Sequence, residues 1–244
     1  MRFDVLTLFP EMIESACAHS ILKRAQEQNV IEINAVNPRD YTENKHRKVD
    51  DTPYGGGFGM VLMPQPMFDA YASIKKDENY LPVLLTPQGK TYNQKTAADF
   101  TKYSQLILIC GHYEGFDERI RTELDDKLVE LSIGDFVLTG GELAAITVID
   151  SVTRLLDGAL GHDESSLGDT FSDGLLEYPQ YTKPADYKGS CVPEVLLNGN
   201  HAQINKWRRT QQILKTKEKR PDLYEKFLQS NLSKEDLKII KSLS

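Results

Sequence analysis

Through residues 1–157 short apolar runs alternate with amphipathic stretches. Runs rich in Val, Ile, Leu and Phe at 2–9 (RFDVLTLF), 30–36 (VIEINAV), 81–86 (LPVLLT), 105–110 (QLILIC) and 127–133 (KLVELSI) predict strands. Helical spacing of apolar residues predicts helices over 11–28, 64–76, 93–102, 116–123 and 141–156. Strands and helices taking turns in this way imply an α/β fold with a mostly parallel sheet. After Leu156 the pattern lapses: DGALGHDESSLGDTFSDG (157–174) has four glycines among acids and few apolar residues, the composition of a flexible connection. Helical spacing returns in QINKWRRTQQILKTK and, behind the N-cap candidate Ser233, in KEDLKIIKSL. The expected organisation is an α/β domain over 1–157, a linker over 158–174 and a small helical domain over 175–244.

Composition narrows the class. At 244 residues, 40% hydrophobic and 27% charged, the chain has the make-up of a soluble globular protein with room for one main and one small domain. Its three cysteines form no C-x-x-C pair and its five histidines no H-x-x-x-H, which argues against a disulfide framework or a zinc site. No metal is expected on these grounds, and the reducing cytoplasm is the expected location. MRFDVLTLFPEM lacks the roughly 7–15-residue apolar core of a signal peptide, and no run approaches the roughly 20 apolar residues of a membrane span. A net charge of -7 and a pI of about 5.3 argue against indiscriminate nucleic-acid binding. One local exception is KWRRTQQILKTKEKR (206–220), where seven basic side chains meet the single acid Glu218. At helical spacing Arg208, Lys215 and Lys219 share a face, a candidate RNA-phosphate patch or an ordinary solvated surface.

Two glycine patterns are candidates for chemistry. VDDTPYGGGFGMVL (49–62) places Gly55, Gly56, Gly57 and Gly59 in a long polar loop with Arg39, Lys45, His46, Arg47 and Lys48. A P-loop is excluded because Met60 and Val61 follow the last glycine, where Lys and Ser or Thr are required. A dinucleotide fingerprint is excluded because a polar segment, not a strand, leads into the glycines. The second pattern lies at predicted strand ends: TPQGK (86–90), CGHYEGFDERI (110–120) and IGDFVLTGGELAA (133–145). Ligands of open α/β sheets bind outside the carboxyl ends of strands, and bare backbone there suits a flat adenine better than a phosphate.

These segments, taken in order with LFPEM (8–12), NPRDY (37–41), HRKVDDTPYGGGFGM (46–60), LGH (160–162) and LLNGNHAQINKWR (196–208), closely resemble the bacterial tRNA (guanine-N1)-methyltransferases of the SPOUT class. The resemblance covers nearly the whole chain. It implies a trefoil knot in the α/β domain, S-adenosyl-L-methionine as cofactor, guanosine 37 of tRNA as substrate, and a homodimer whose active sites lie at the subunit interface. The cofactor shell it implies is Thr86, Pro87, Gly111, Tyr113, Glu114, Gly115, Ile133, Gly134, Phe136, Val137, Leu138, Gly140 and Gly141. The implied base is Asp169, with Arg154 as its electrostatic partner. The substrate side would comprise Asp50, Gly55, Gly56, Gly57, Gly59, Arg208, Lys215 and Lys219. A role for Mg²⁺ is not legible. Ala144 stands where many members have proline, and Glu177 where many have aspartate. Rival readings are a SPOUT enzyme acting on another RNA nucleotide, and a non-catalytic RNA-binding protein of the same fold.

Overall fold

The computed structural model describes residues 1–160, 170–171 and 173–242. The chain divides into two compact units, Met1–Asp163 and Glu164–Ser244.

The first unit is built on β1 (Arg2–Leu6), β2 (Glu32–Val36), β5 (Tyr80–Thr91), β6 (Gln105–Cys110) and β7 (Val129–Ser132). They form one sheet in the order β2-β1-β6-β5-β7, and every adjacent pair is parallel. Parallel strands carry helices on both faces, so their side chains alternate between two cores. Phe3, Val5, Leu106, Leu108, Val83 and Leu85 point into one core, shared with α1 (Pro10–Cys17), α2 (Ser20–Glu27), α4 (Gln94–Phe100) and α6 (Glu142–Thr153). Leu6, Ile107, Ile109 and Leu84 point into the other, shared with α3 (Pro64–Ser73) and α5 (Glu118–Glu123). The mostly parallel α/β class expected from the sequence is what the sheet shows.

Two departures have local causes. The helix expected over 11–28 is two helices, broken at Ala18–His19, with Ser20 at φ 52. Ile13, Cys17, Leu22 and Ala25 all reach the same core, so the apolar period runs unbroken across the kink. β5 is longer than its apolar run because it bulges: Leu85 and Lys90 both pair with Leu131, leaving 86–89 as an excursion from the sheet. A Cβ on Gly89 would collide with the Leu131 backbone, so the excursion closes only on glycine. The glycine loop is footed on a short hairpin, β3 (Asp50–Asp51) against β4 (Val61–Leu62).

The second unit carries the hairpin β8 (Asp186–Tyr187) and β9 (Ser190–Cys191), then α7 (His201–Lys219), α8 (Pro221–Leu228) and α9 (Lys234–Ser242). Leu175, Ile213, Phe227 and Ile239 form its core. Arg209 donates to Asp236 at 2.7 Å and also pairs with Asp173, and its guanidinium lies over the Phe227 ring. Ser233 caps α9 as expected, in a capping box: its hydroxyl accepts from the Asp236 N–H at 3.0 Å while the Asp236 carboxylate accepts from the Ser233 N–H at 3.3 Å. Burial works against the charged form of Asp236, but the Arg209 and Ser233 bonds outweigh it and hold the carboxyl below its ordinary range.

Candidate active site

The carboxyl ends of β5, β6 and β7 open into a cavity of about 280 Å³. Three segments wall it: 86–88 in the bulge of β5, 111–116 after β6 and 132–134 at the end of β7. Residues 136–141 and the first turn of α6 close it. This last segment is fastened to the strand end, for the Gly141 N–H donates to Gly111 O at 2.8 Å and Gly140 bridges to His112. A Cβ on Gly141 would lie 2.7 Å from the Cys110 Cα and 2.9 Å from the Gly111 nitrogen, closer than real Cβ atoms approach backbone. The fastening therefore requires glycine. Beneath it Glu142 is buried and accepts from the Thr7 hydroxyl at 2.7 Å. Burial, reinforced by Glu142, pushes the Cys110 thiol well up, so this cysteine stays a protonated packing group.

All thirteen positions named for the cofactor shell line this cavity. The structure adds residues that the sequence did not single out. Leu85, Gln88, His112, Phe116, Leu131, Ser132 and Thr139 complete the wall, most of them inside the segments already noted, together with Ala144, which the sequence had marked as a departure from the family pattern. Arg121 is the informative addition. Its side chain is only 10% exposed, and it pairs with Glu130 of β7, reaches Glu118 at 3.4 Å and donates to the Thr86 hydroxyl at 3.3 Å. It thereby ties the ends of two strands to α5. Among the described lining residues, Glu114 and Arg121 are the two that carry formal charge. A wall of glycine backbone and apolar side chains with one carboxylate and one guanidinium suits a nucleoside bearing a zwitterionic tail far better than a polyphosphate.

The mouth connects to the long polar loop. Tyr113 sits at φ 59, edge-on to His112, and its hydroxyl accepts from Arg39 at 3.2 Å. The end of the glycine loop lies along the cavity rim: Glu114 N–H donates to Met60 O at 3.0 Å, and Leu62 N–H to Gly115 O at 2.9 Å. Gly59, at φ +82, abuts the Glu114 side chain, which leaves no room for a Cβ. Asp50, half-buried, pairs with Leu62 one step behind this rim. Gly55 and Gly56 are different, for a Cβ on either would meet nothing within 4 Å.

Other sequence candidates lie elsewhere. Asp169 falls outside the described residues, as does most of the expected linker. Arg154 is exposed at the C-terminal end of α6, whose N-terminus forms part of the cavity wall. At the helical rise this puts it about 20 Å along the helix from Gly141. In the second unit a strap formed by residues 175–181 lies across α7 and occupies part of the expected basic face. Lys215 donates to Glu177 O at 2.9 Å, and Arg208 stacks over Tyr178 at 4.9 Å with its Nε buried and unpartnered. Lys219 remains exposed. Among the described residues no group of three or more His, Cys, Asp or Glu side chains could hold a metal ion. None of the described helices is long and apolar enough to cross a membrane.

Sheet and cavity together define a doubly wound α/β protein with a cavity walled by glycine backbone at its strand ends. The family of tRNA (Guanine-1)-methyltransferase TrmD matches residues 1–226, and the chain belongs to that family. It is 54% identical over 241 residues to a tRNA (guanine-N(1)-)-methyltransferase of Caldanaerobacter subterraneus subsp. tengcongensis, covering 99% of this chain and 98% of that protein. It is 52% identical over 237 residues to the enzyme of the same name from Staphylococcus aureus strain Newman, covering 97% and 96% respectively.

Proposed function

We propose that this protein transfers a methyl group from S-adenosyl-L-methionine to N1 of guanosine 37 in tRNA. The observation that carries this reading is the closure of three glycine-bearing strand ends on one cavity, in a chain that matches the tRNA (guanine-N1)-methyltransferases almost end to end. When bound there, the cofactor supplies an electrophilic methyl group carried on a sulfonium. The chain's residues would do the rest. Backbone amides and carbonyls at Gly111, Gly134, Gly140 and Gly141 would receive the flat base, Phe136, Val137 and Leu138 would cover it, and the Glu114 carboxylate would face positive charge on the tail.

Guanine N1 holds a proton at neutral pH, so methylation needs a base. Asp169 is that base in this reading. As the proton leaves, negative charge spreads onto O6, where the Arg154 guanidinium would stabilise the transition state more than the ground state. Arginine suits the task because it stays charged and donates through a planar fork. The position of Arg154, a helix length from the cavity of its own chain, supports a homodimer in which each cavity is completed by the partner's arginine and aspartate. We also take the first unit to carry the family's trefoil knot; the 136–141 segment fastened onto 111–112 supports it. In this reading the first unit binds the cofactor, the helices of the second bind tRNA, and the glycine loop admits the flipped-out base. The unpaired state of Cys17, Cys110 and Cys191 suits work in the cytoplasm.

Labelled S-adenosyl-L-methionine, unmodified tRNA transcripts and nucleotide-resolved mapping test the activity. Label at N1 of guanosine 37 is expected; label at another nucleotide would retain the enzyme class and change the substrate, and no label would remove both. Chain mixing tests the shared site. Gly141→Trp and Asp169→Ala chains, each inactive alone, should recover about a quarter of wild-type activity per chain after random re-pairing, because half the dimers then hold one sound site of two. Continued inactivity after verified exchange would confine each site to one chain.

A further inference from the structure

The glycine loop carries two features that the cofactor cavity does not use. Tyr54 and Phe58 are 103% and 99% exposed, the highest values among the exposed large apolar side chains described. Between them Gly55, Gly56 and Gly57 have φ of +85, +79 and +134, a run of backbone that side chains would hinder. The tip is thus free while its foot is held, through the β3–β4 hairpin and the bonds from Glu114, Leu62 and Asp117 along the cavity rim.

We propose that Tyr54 and Phe58 form a stacking clamp for unstacked RNA bases flanking the reacting guanosine; this rests on the tRNA reading above. Two rings wholly in water forgo the stabilisation that burial would give, and an isolated pair on a glycine tip has no intramolecular surface to recover it. Neither ring lines the cofactor cavity. The chemistry around them favours nucleic acid. Lys45, His46, Arg47 and Lys48 are exposed in the same loop. Aromatic faces on a loop that also carries cations suit single-stranded RNA, since every base offers a π-face. A second copy of the chain is a poorer occupant. Each side of a stable protein interface buries roughly 800 Å², well beyond what two rings at roughly 150–250 Å² each can supply.

The test uses the whole 244-residue chain with Tyr54→Ala, Phe58→Ala, the double variant, the aromatic replacements Tyr54→Phe and Phe58→Tyr, and the aliphatic replacements Tyr54→Leu and Phe58→Leu. Each alanine should weaken binding of an anticodon stem-loop by about tenfold and the pair by about a hundredfold, as loss of base–aromatic stacking does. S-adenosyl-L-methionine affinity should stay within about twofold, because the rings lie outside the cavity. The salt slope of RNA binding should not change, since no phosphate contact is removed. A stem-loop with 2-aminopurine next to position 37 should be quenched by the wild type and by both aromatic variants but not by the double alanine variant, a readout that needs no methyl transfer. Unchanged affinity in the double variant, equal rescue by Tyr54→Leu and Phe58→Leu, or a change in oligomeric mass would each overturn the clamp. Methyl transfer by the wild type with unaltered RNA binding in the variants would sink the clamp alone and leave the enzyme reading in place.

Discussion

The two glycine groups of this protein meet opposite physics. At Gly141 an added Cβ would press on the Cys110 and Gly111 backbone, and at Gly89 on the Leu131 backbone, so glycine there is a condition of close packing. At Gly55 and Gly56 it would meet nothing, and only the positive φ restricts the residue. One group closes the cavity wall against backbone; the other forms a tip that stands in open space. Glycine in a sequence therefore signals two things that composition cannot separate, and the contrast between committed and open positions extends to charged residues.

Arg121 offers the strongest way to break that contrast. It is committed to Glu130, Glu118 and Thr86, so Arg121→Gln should leave a partly buried carboxylate unpaired and release the Thr86 wall. Loss of a charged hydrogen-bond network of about 1.5–3 kcal/mol should weaken cofactor binding by at least about tenfold. Arg121→Lys should recover part of it. Calorimetry on both variants checks this, and normal affinity in Arg121→Gln would class the arginine with the open group.

α7 presents the same contrast among its cations. Arg208 and Lys215 are held by the 175–181 strap, so replacing both with methionine should cost about 1–2 kcal/mol of stability in the second unit. Urea unfolding followed through Trp207, the one tryptophan of the chain, reads this directly. Lys219→Ala should leave that curve in place and reduce the salt slope of tRNA binding by about one phosphate contact.

A smaller effect is expected with acid. Asp236 is held below its ordinary value near 3.8, so it binds its proton more readily in the unfolded chain than in the folded one. Its contribution to stability is present above about pH 3.8 and is lost as the pH falls through the lower folded value. The Trp207 transition should weaken across that acid range, and Asp236→Asn should flatten the weakening. An unchanged acid limb would show that the Arg209 bonds do not discriminate between the two protonation states.

Much of this was legible in the chain, and the gaps have physical reasons. The strand at 105–110 is a continuous apolar run because both its faces are covered, and it was predicted to the residue. The three strand-end segments were found because turns there must bare backbone, a local requirement, while the thirteen positions within them came from the family resemblance. Arg121 was missed because its partners stand nine and 35 residues away, and sequence pattern has no reach of that kind. The strap over α7 was missed for the same reason: residues 175–181 have no period, and their partners are fixed by tertiary contact. The helix α8 was not foreseen, since Pro221 opens it at a first helical position where its fixed φ helps and its missing N–H costs nothing.

The most direct test of the account is a calorimetric titration of tRNA-free protein with S-adenosyl-L-methionine in three forms: wild type, Gly141→Ala and Gly56→Ala. The expected result is one site per chain in the wild type, the same affinity within about twofold in Gly56→Ala, whose new Cβ enters open space, and no detectable binding in Gly141→Ala with an unchanged far-UV circular dichroism spectrum. Equal binding by all three forms, or none by the folded wild type, would contradict a preformed cofactor cavity at these strand ends.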